Sequence, residues 1–408
     1  MPRILALLPS NTYRARDLLI VARDLGVELI VATARQQALE PQTDDTTVTI
    51  SFDGSPEAIR IARELHGRRP LDAVVGLDDE TTWCAAVLAR ALGLPGNPPQ
   101  AVAATRSKLT MRRQLAAAGI RGPEFAAVAF ADLASQAAAQ QYPCVLKPTF
   151  LSASRGVIRA NDPREFVAAG QRIAALLDDP ELRARSGGEA DLVLVESYLR
   201  GDEIAVEAVL REGVLQPLAV FDKPDPLTGP FFEETIYVTP SRHDTAVLAA
   251  VEAELQRATR TLGLVHGPIH AELRLHGGTP TLLELAPRPI GGLCPRVIPL
   301  AFGIRLEELL LRATLGMPAP AVAAGRAAGV MMIPVPAAGI LRAVHGLERA
   351  RVEPGVHDVE ISTLLGQQVV PLPEGNRYLG FIFATAESPA TAEEALRRAH
   401  YHLRFEIQ

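Results

Sequence analysis

Short apolar runs alternate with longer amphipathic stretches over the first hundred residues. The run at 3–8 (RILALL) stops at Pro9-Ser10-Asn11 and is followed by a helical stretch at 16–25, a second run at 27–32, a helix over 57–65, the run Ala73-Val74-Val75 and a helix over 82–92. This alternation predicts a parallel, doubly wound sheet. Pro95, Pro98 and Pro99 then interrupt the pattern and mark a domain edge.

From Lys108 the pattern becomes α+β. It predicts a helix at 108–118, a strand at 144–147 leading into a loop at 151–157, a helix at 164–177 and a strand at 192–196. Strands at 204–210 and 215–221 form a hairpin around Glu212-Gly213, and strands at 269–275 and 281–285 flank His276-Gly277-Gly278, with a helix at 245–262 between the two pairs. A helix at 306–315 ends near Gly316 and Pro318, and an Ala/Pro/Gly linker runs to about residue 328. The remainder reads as mostly β with a closing helix at 392–400. The predicted domains are a Rossmann-like unit at 1–104, an α+β unit at 105–320 and a mostly β unit at 321–408.

Composition narrows the functional classes. A 408-residue chain is too long for one ordinary core, and 48% hydrophobic with 22% charged residues is the balance of a folded protein. A net charge of −6 gives no support for nucleic-acid binding. Cys84, Cys144 and Cys294 lack CxxC spacing, which argues against a disulfide framework or a zinc site and fits a cytoplasmic location. The first apolar run is too short for a signal sequence or a membrane span.

Candidate chemistry is flagged by a rarity. Only three of the 41 basic residues are lysines: Lys108, Lys147 and Lys223. Where arginine is the default cation, a retained lysine points to a place that requires a compact point charge. Lys147 ends a buried-looking strand and precedes Ser152-Ala153-Ser154-Arg155-Gly156-Val157, small residues whose N–H groups can approach phosphate oxygens. Glu272 and Glu284 become neighbours if the Gly277-Gly278 turn pairs their strands, and facing carboxylates need a cation; magnesium, bound by one or two carboxylates plus phosphate oxygens, suits them. Just beyond, Pro287-Arg288-Pro289-Ile290-Gly291-Gly292 frames one guanidinium rigidly, as for gripping an oxyanion. Glu196 and Ser197 close a further strand, with Glu203 and Glu207 beyond. Lys223 and Glu234 fall in an irregular stretch that borders a substrate pocket, with a surface ion pair as the plain alternative for Lys223. His270 shares a strand face with Glu272. No GxxxxGK[ST] or GxGxxG is present.

In this order, Lys108, Lys147, the 152–157 loop, the 196–199 segment, Glu203, Glu272, Glu284 and Arg288 resemble the ATP-grasp superfamily. The stretches YPCVLKP, SASRGV, VESYLRGDEIAVE and LLELAPRPIGG carry the likeness, and GVHDVEI…GNRYLGFIFA is similar to L-amino acid ligases. The resemblance implies a Rossmann-like N-terminal domain, a two-subdomain ATP-grasp fold and a ligase-type C-terminal domain. It implies ATP and magnesium as cofactors, with a carboxylate and an amine as small-molecule substrates. Lys108, Lys147, Ser152, Ser154, Gly156 and Val157 would then meet the phosphates; Glu196, Ser197 and Leu199 the adenine; Glu203 the ribose; Glu272 and Glu284 the metal. Arg288 would stabilise the acyl phosphate and tetrahedral intermediate, with Lys223, Glu234, His270, Gly291 and Gly292 at the substrates. The family alone implies a homodimer. Two departures stand out: Ala286 occupies the position where many members carry a metal-binding Asn, and the phosphate loop has a single glycine. The competing functions are an ATP-grasp carboxylase or purine-pathway ligase, and a nucleotide-binding regulator without catalysis.

Overall fold

The computed structural model describes residues 1–408 except 10, 11, 13, 35–45, 319 and 321–324. The sequence readings at Ser10-Asn11 and in the linker at 319 and 321–324 therefore lie outside the described residues. The N-terminal region is the expected parallel sheet, with strands ordered Thr47–Thr49, Glu28–Thr33, Arg3–Leu7, Ala73–Gly76. Arg3–Leu7 is buried at every position because helices cover both faces, which is why it reads as a continuous apolar run. The proline cluster does more than break the chain. Pro98 and Pro99 open a helix, Pro99–Arg106, since a first-turn proline lacks only an N–H that would have no partner there.

Two antiparallel sheets follow. The smaller has the order Phe125–Ala129, Leu192–Ser197, Cys144–Lys147, Ile158–Ala160 and packs on helix Pro163–Leu177. The larger has eight strands, ordered Thr279–Ala286, Gly267–His276, Asp202–Arg211, Val214–Lys223, Ile236–Thr239, Ala327–Ile333, Gly380–Ala386, Val356–Ile361. Strand Ala327–Ile333 pairs with Ile236–Thr239, so the sheet runs without a break from the middle of the chain into its C-terminal part. Strands Phe125–Ala129, Ile158–Ala160 and Ile236–Thr239 were not legible: each is too short to show a period of two against its flanks. A separate three-stranded sheet, Gln368–Val369, Gly339–His345 and Arg404–Ile407, completes the C-terminal region. No helix among the described residues is long and apolar enough to cross a membrane.

Two hairpin turns fix the registers that matter. Glu212 and Gly213 both have positive φ, as do Gly277 and Gly278, the signature of a tight turn whose twist matches its strands. Helix Thr245–Leu262 buries the stripe Val251, Leu255, Ala258 and Leu262 under the large sheet. Leu255 is wholly buried there; Leu255→Ala is expected to cost about 2–5 kcal/mol, read as a lowered urea midpoint for the transition that includes the large sheet.

Candidate active site

The turn at Gly277-Gly278 sets Glu272 directly opposite Glu284. Immediately beyond the pair a bulge shifts the register, so Leu273 faces Leu282 and Leu283 is extra. Arg112, on helix Lys108–Ala117, donates to the Leu282 carbonyl at 3.1 Å and also to the Leu283 carbonyl, satisfying groups the bulge frees from the ladder. The two carboxylates keep side-chain exposures of 20% and 30%, enough to face a cavity. Hard oxygen donors so placed fit magnesium together with phosphate oxygens. Ala286, paired with His270, adds no ligand.

Lys223 lies elsewhere than the sequence suggested. It is the last residue of a central strand and not part of a surface loop, with its side chain only 3% exposed. Its ammonium is 2.7 Å from Glu203 and 3.2 Å from Glu272, and is also paired with Glu234. These three glutamates have carboxylate oxygens within 4.8 Å of one another, so a buried lysine sits among groups that would otherwise repel. Burial opposes its charge, but the three carboxylates outweigh this and hold its pKa well above the ordinary lysine value. Burial and the neighbouring carboxylates push Glu234 up to about 7, against the pull of Lys223; the Tyr237 hydroxyl donates to it at 2.7 Å. Glu272 stays ionised because Lys223 and His270 overcome its burial. His270 is buried, 2.5 Å from Glu207, whose charge outweighs desolvation and raises its pKa to about 9.

The Pro-Arg-Pro segment is gripped from several sides. The Ile290 N–H donates to Glu207 at 2.9 Å, and Arg14 donates to the carbonyls of Pro289 and Ile290. Arg288 itself pairs through Nε with Asp79 at 2.7 Å. Asp79 belongs to the turn after the last N-terminal strand, so the N-terminal domain reaches directly into the site. The Asp79 side chain keeps 44% exposure; partial desolvation works against its ionisation, yet Arg288 holds its pKa below the usual carboxylate value.

The glycine-poor loop takes an unusual shape. Ala153 and Ser154 adopt φ of 57° and 54°, a region costly for residues with a side chain. Contacts from the C-terminal region hold it there: Gly156 donates its N–H to the Pro373 carbonyl at 2.8 Å, and Arg155 Nε donates to the Glu374 carbonyl at 2.9 Å. Gly156 is required, since a Cβ would sit 2.8 Å from the Pro148 ring. Its N–H is therefore engaged away from the cavity, which corrects the expectation that it faces phosphate. Lys108 Nζ donates to the Leu151 carbonyl at 2.7 Å and lies 3.1 Å from Glu284, tying this loop to the metal candidates. Lys147 is 2.6 Å from Glu196, and Arg112 holds the other oxygen of the same carboxylate at 2.5 Å.

These residues converge on one cavity of about 320 Å³, lined by Lys108, Lys147, Ser152, Ser154, Val157, Glu196, Ser197, Leu199, Glu203, Glu234, His270, Glu272, Glu284, Arg288, Gly291 and Gly292. Gly156 and Lys223 do not line it, although Lys223 lies immediately behind. Sequence reasoning missed Asp79, Arg112, Tyr237, Met332, Arg377, Tyr378 and Phe381. All but Arg112 line the cavity; its last part is a mostly apolar wall built from the large sheet and the C-terminal region. GNRYLGF was noticed as a stretch, but nothing local showed that it reaches the site.

Comparison with known proteins identifies the domains that make up the chain. Residues 140–296 match the ATP-grasp domain, 20–96 the ATP-grasp N-terminal domain, and 331–408 the L-amino acid ligase C-terminal domain 2. The chain belongs to the ATP-grasp superfamily. It carries the C-terminal domain type of the L-amino acid ligases. The crystal structure of L-amino acid ligase from Bacillus licheniformis superposes with a TM-score of 0.84 at 26% identity, covering 100% of this chain and 99% of that one. Alanine–anticapsin ligase of Bacillus subtilis is 29% identical over 54% of this chain and 49% of its own length. Carnosine synthase 1 of Gallus gallus is 30% identical over 69% of this chain. The chain thus spans about half of the first of these curated relatives and 32% of the second. Phosphoribosylglycinamide synthetase and biotin carboxylase structures, at 14% and 16% identity, share the fold alone.

The Arg112–Glu196–Lys147 triad gives an acid-stability prediction. Burial raises the Glu196 pKa, but the two cations outweigh it and bring it from 4.5 to about 2. A depressed carboxylate contributes stability above its unfolded pKa and loses it as pH falls through the folded one. The loss, about 3 kcal/mol, is expected between pH about 4.5 and about 2. Urea midpoints over this range should fall steeply for the native chain and much less for Glu196→Gln, which starts lower at neutral pH.

Proposed function

We propose that the chain is an ATP-dependent carboxylate–amine ligase that joins an amino acid, through its carboxylate, to an amine. The observation that carries the reading is the paired Glu272 and Glu284 beside Arg288 and Lys108 in one cavity that ends in a mostly apolar wall. Such a wall suits an organic acid with a side chain better than bicarbonate, which favours a ligase over a carboxylase. A nucleotide-binding regulator would have little use for Arg288 fixed at the reaction centre. The relatives named for ligase and synthase activities support the same class.

In the first step a carboxylate oxygen of the acid attacks the γ-phosphorus of ATP, the bond to ADP breaks, and an acyl phosphate forms. In the second, the amine nitrogen attacks the acyl carbon, the bond to phosphate breaks, and an amide, phosphate and a proton are released. Lys108 and Lys147 bind phosphate oxygens, with Ser152, Ser154 and Val157 over them. Glu196, Ser197 and Leu199 border adenine, and Glu203 meets the ribose with the lone pairs that Lys223 and Arg274 leave. Glu272 and Glu284 hold magnesium, which supplies charge neutralisation to the transferring phosphoryl group. Arg288 faces the charge that develops on the acyl oxygen, where preorganised positive charge matters most. Glu234 receives the ammonium of the acid, Gly291 and Gly292 leave room for its side chain, and Lys223 and His270 keep the carboxylates of this wall in place.

Amino-acid-dependent release of phosphate from ATP is the primary test; bicarbonate dependence would indicate a carboxylase, and no release a regulator. Glu284→Ala is expected to lower turnover by about 10²–10³ while circular dichroism stays native; retained activity would refute the metal assignment. Gly292 has φ of +58°, and a Cβ there would lie 3.1 Å from the Phe381 ring. Gly292→Trp should therefore fill the acid pocket, confining substrates to glycine- or alanine-sized acids. Unaltered breadth would place the pocket elsewhere.

A further inference from the structure

The phosphate loop is fastened by residues far from it in the sequence. Ala153 and Ser154 keep their left-handed φ only where surrounding groups over-determine it, and residues 373–374 of the C-terminal region supply such groups. Gly156 donates its N–H to the Pro373 carbonyl at 2.8 Å, and Arg155 Nε donates to the Glu374 carbonyl at 2.9 Å. The Glu374 carboxylate in turn accepts from Nε of Arg172 and, at 2.8 Å, from its Nη2. Arg172 lies on helix Pro163–Leu177, its guanidinium 5.0 Å from the centre of the Phe231 ring. The same segment then enters the cavity. Gly375 makes the corner: its N–H donates to the Pro371 carbonyl at 2.9 Å, and a Cβ there would collide with the Val370 carbonyl. Asn376, Arg377 and Tyr378, immediately beyond, line the cavity beside Phe381, whereas Arg155, Arg172 and Glu374 do not. Tyr378 is fixed by the Thr363 hydroxyl, which donates to its carbonyl at 3.1 Å, and by edge-on contact with Phe381, ring centres 6.2 Å apart.

One short strap, 373–378, thus touches the phosphate loop with its first residues and forms the cavity wall with its last. We propose that it couples the two substrates: an acid seated against Tyr378 and Phe381 steadies the strap, the strap steadies the phosphate loop, and nucleotide and acid bind with positive coupling. The proposal rests on the ligase reading and assigns Glu374 as a positioning residue, acting on the nucleotide through the loop without touching it. A ligand shifts such an equilibrium only by binding one arrangement more tightly than the other, and the effect is reciprocal. The consequence is economy of ATP: it is gripped firmly when an acid is present to receive the phosphoryl group, and less firmly when water is the only acceptor.

The test measures the coupling itself. The amino acid that best supports phosphate release from ATP is identified first. MgADP is then titrated calorimetrically into the protein with and without that acid; ADP lacks the γ-phosphate, so the acid cannot act on the nucleotide by direct contact there. The native protein should bind MgADP at least about fivefold more tightly with the acid, and the acid should gain the same factor from MgADP. In the double variant Arg155→Met, Glu374→Ala this factor should fall by half or more. A purely structural loosening would weaken MgADP equally with and without the acid and leave the factor as it was. Circular dichroism checks the fold; should the double variant not be native, Arg172→Met, on the helix surface, is held to the same criterion. A smaller native factor, or one that the substitutions leave at more than half, overturns the strap while the ligase reading stands. Absence of MgADP binding or of amino-acid-dependent phosphate release from the native protein overturns that reading, and this proposal with it.

Discussion

The candidate site depends first on a register. Glu272 and Glu284 face one another because two glycines in left-handed conformations close the turn between their strands, and because the following bulge is held by Arg112. A slip of one residue would send one carboxylate into the apolar layer occupied by Leu273 and Leu282. Arg112 also grips Glu196, so one buried guanidinium links the metal-candidate hairpin to the smaller sheet.

Around this pair the site is built as alternating charge. Lys223 separates Glu203, Glu234 and Glu272; Glu207 holds His270; Asp79 holds Arg288. Few of these groups are exposed, and buried charges of this density persist only when each has an opposite partner. A resident lysine inside the acidic cluster keeps it folded irrespective of what else binds there.

Much of this was readable in the sequence. Lys108 and Lys147 stood out by rarity, the Glu272–Glu284 pairing followed from turn chemistry, and the N-terminal sheet followed from apolar runs. What was not readable depends on contacts between distant segments. Nothing near Asp79 announces that it meets Arg288, 209 positions away. Lys223 read as part of the irregular stretch beyond the strand at 215–221, yet the strand extends to the lysine itself. The aromatic wall escaped notice because Tyr237, Tyr378 and Phe381 belong to separate strands and loops that only the continuous sheet brings side by side. Local periodicity encodes elements; it does not encode which of their ends will share a cavity.

The unbroken eight-stranded sheet has an evolutionary corollary. The strands bearing Glu272 and Glu284 and the strands bearing Met332 and Phe381 belong to a single hydrogen-bonded plate. The proposed metal ligands and the proposed pocket wall thus share one backbone scaffold, in contrast to enzymes in which a recognition module hangs from a catalytic one by a linker. Diversification along such a plate proceeds by exchanging individual side chains at the cavity wall, as a lock is re-keyed by its pins with the barrel left in place.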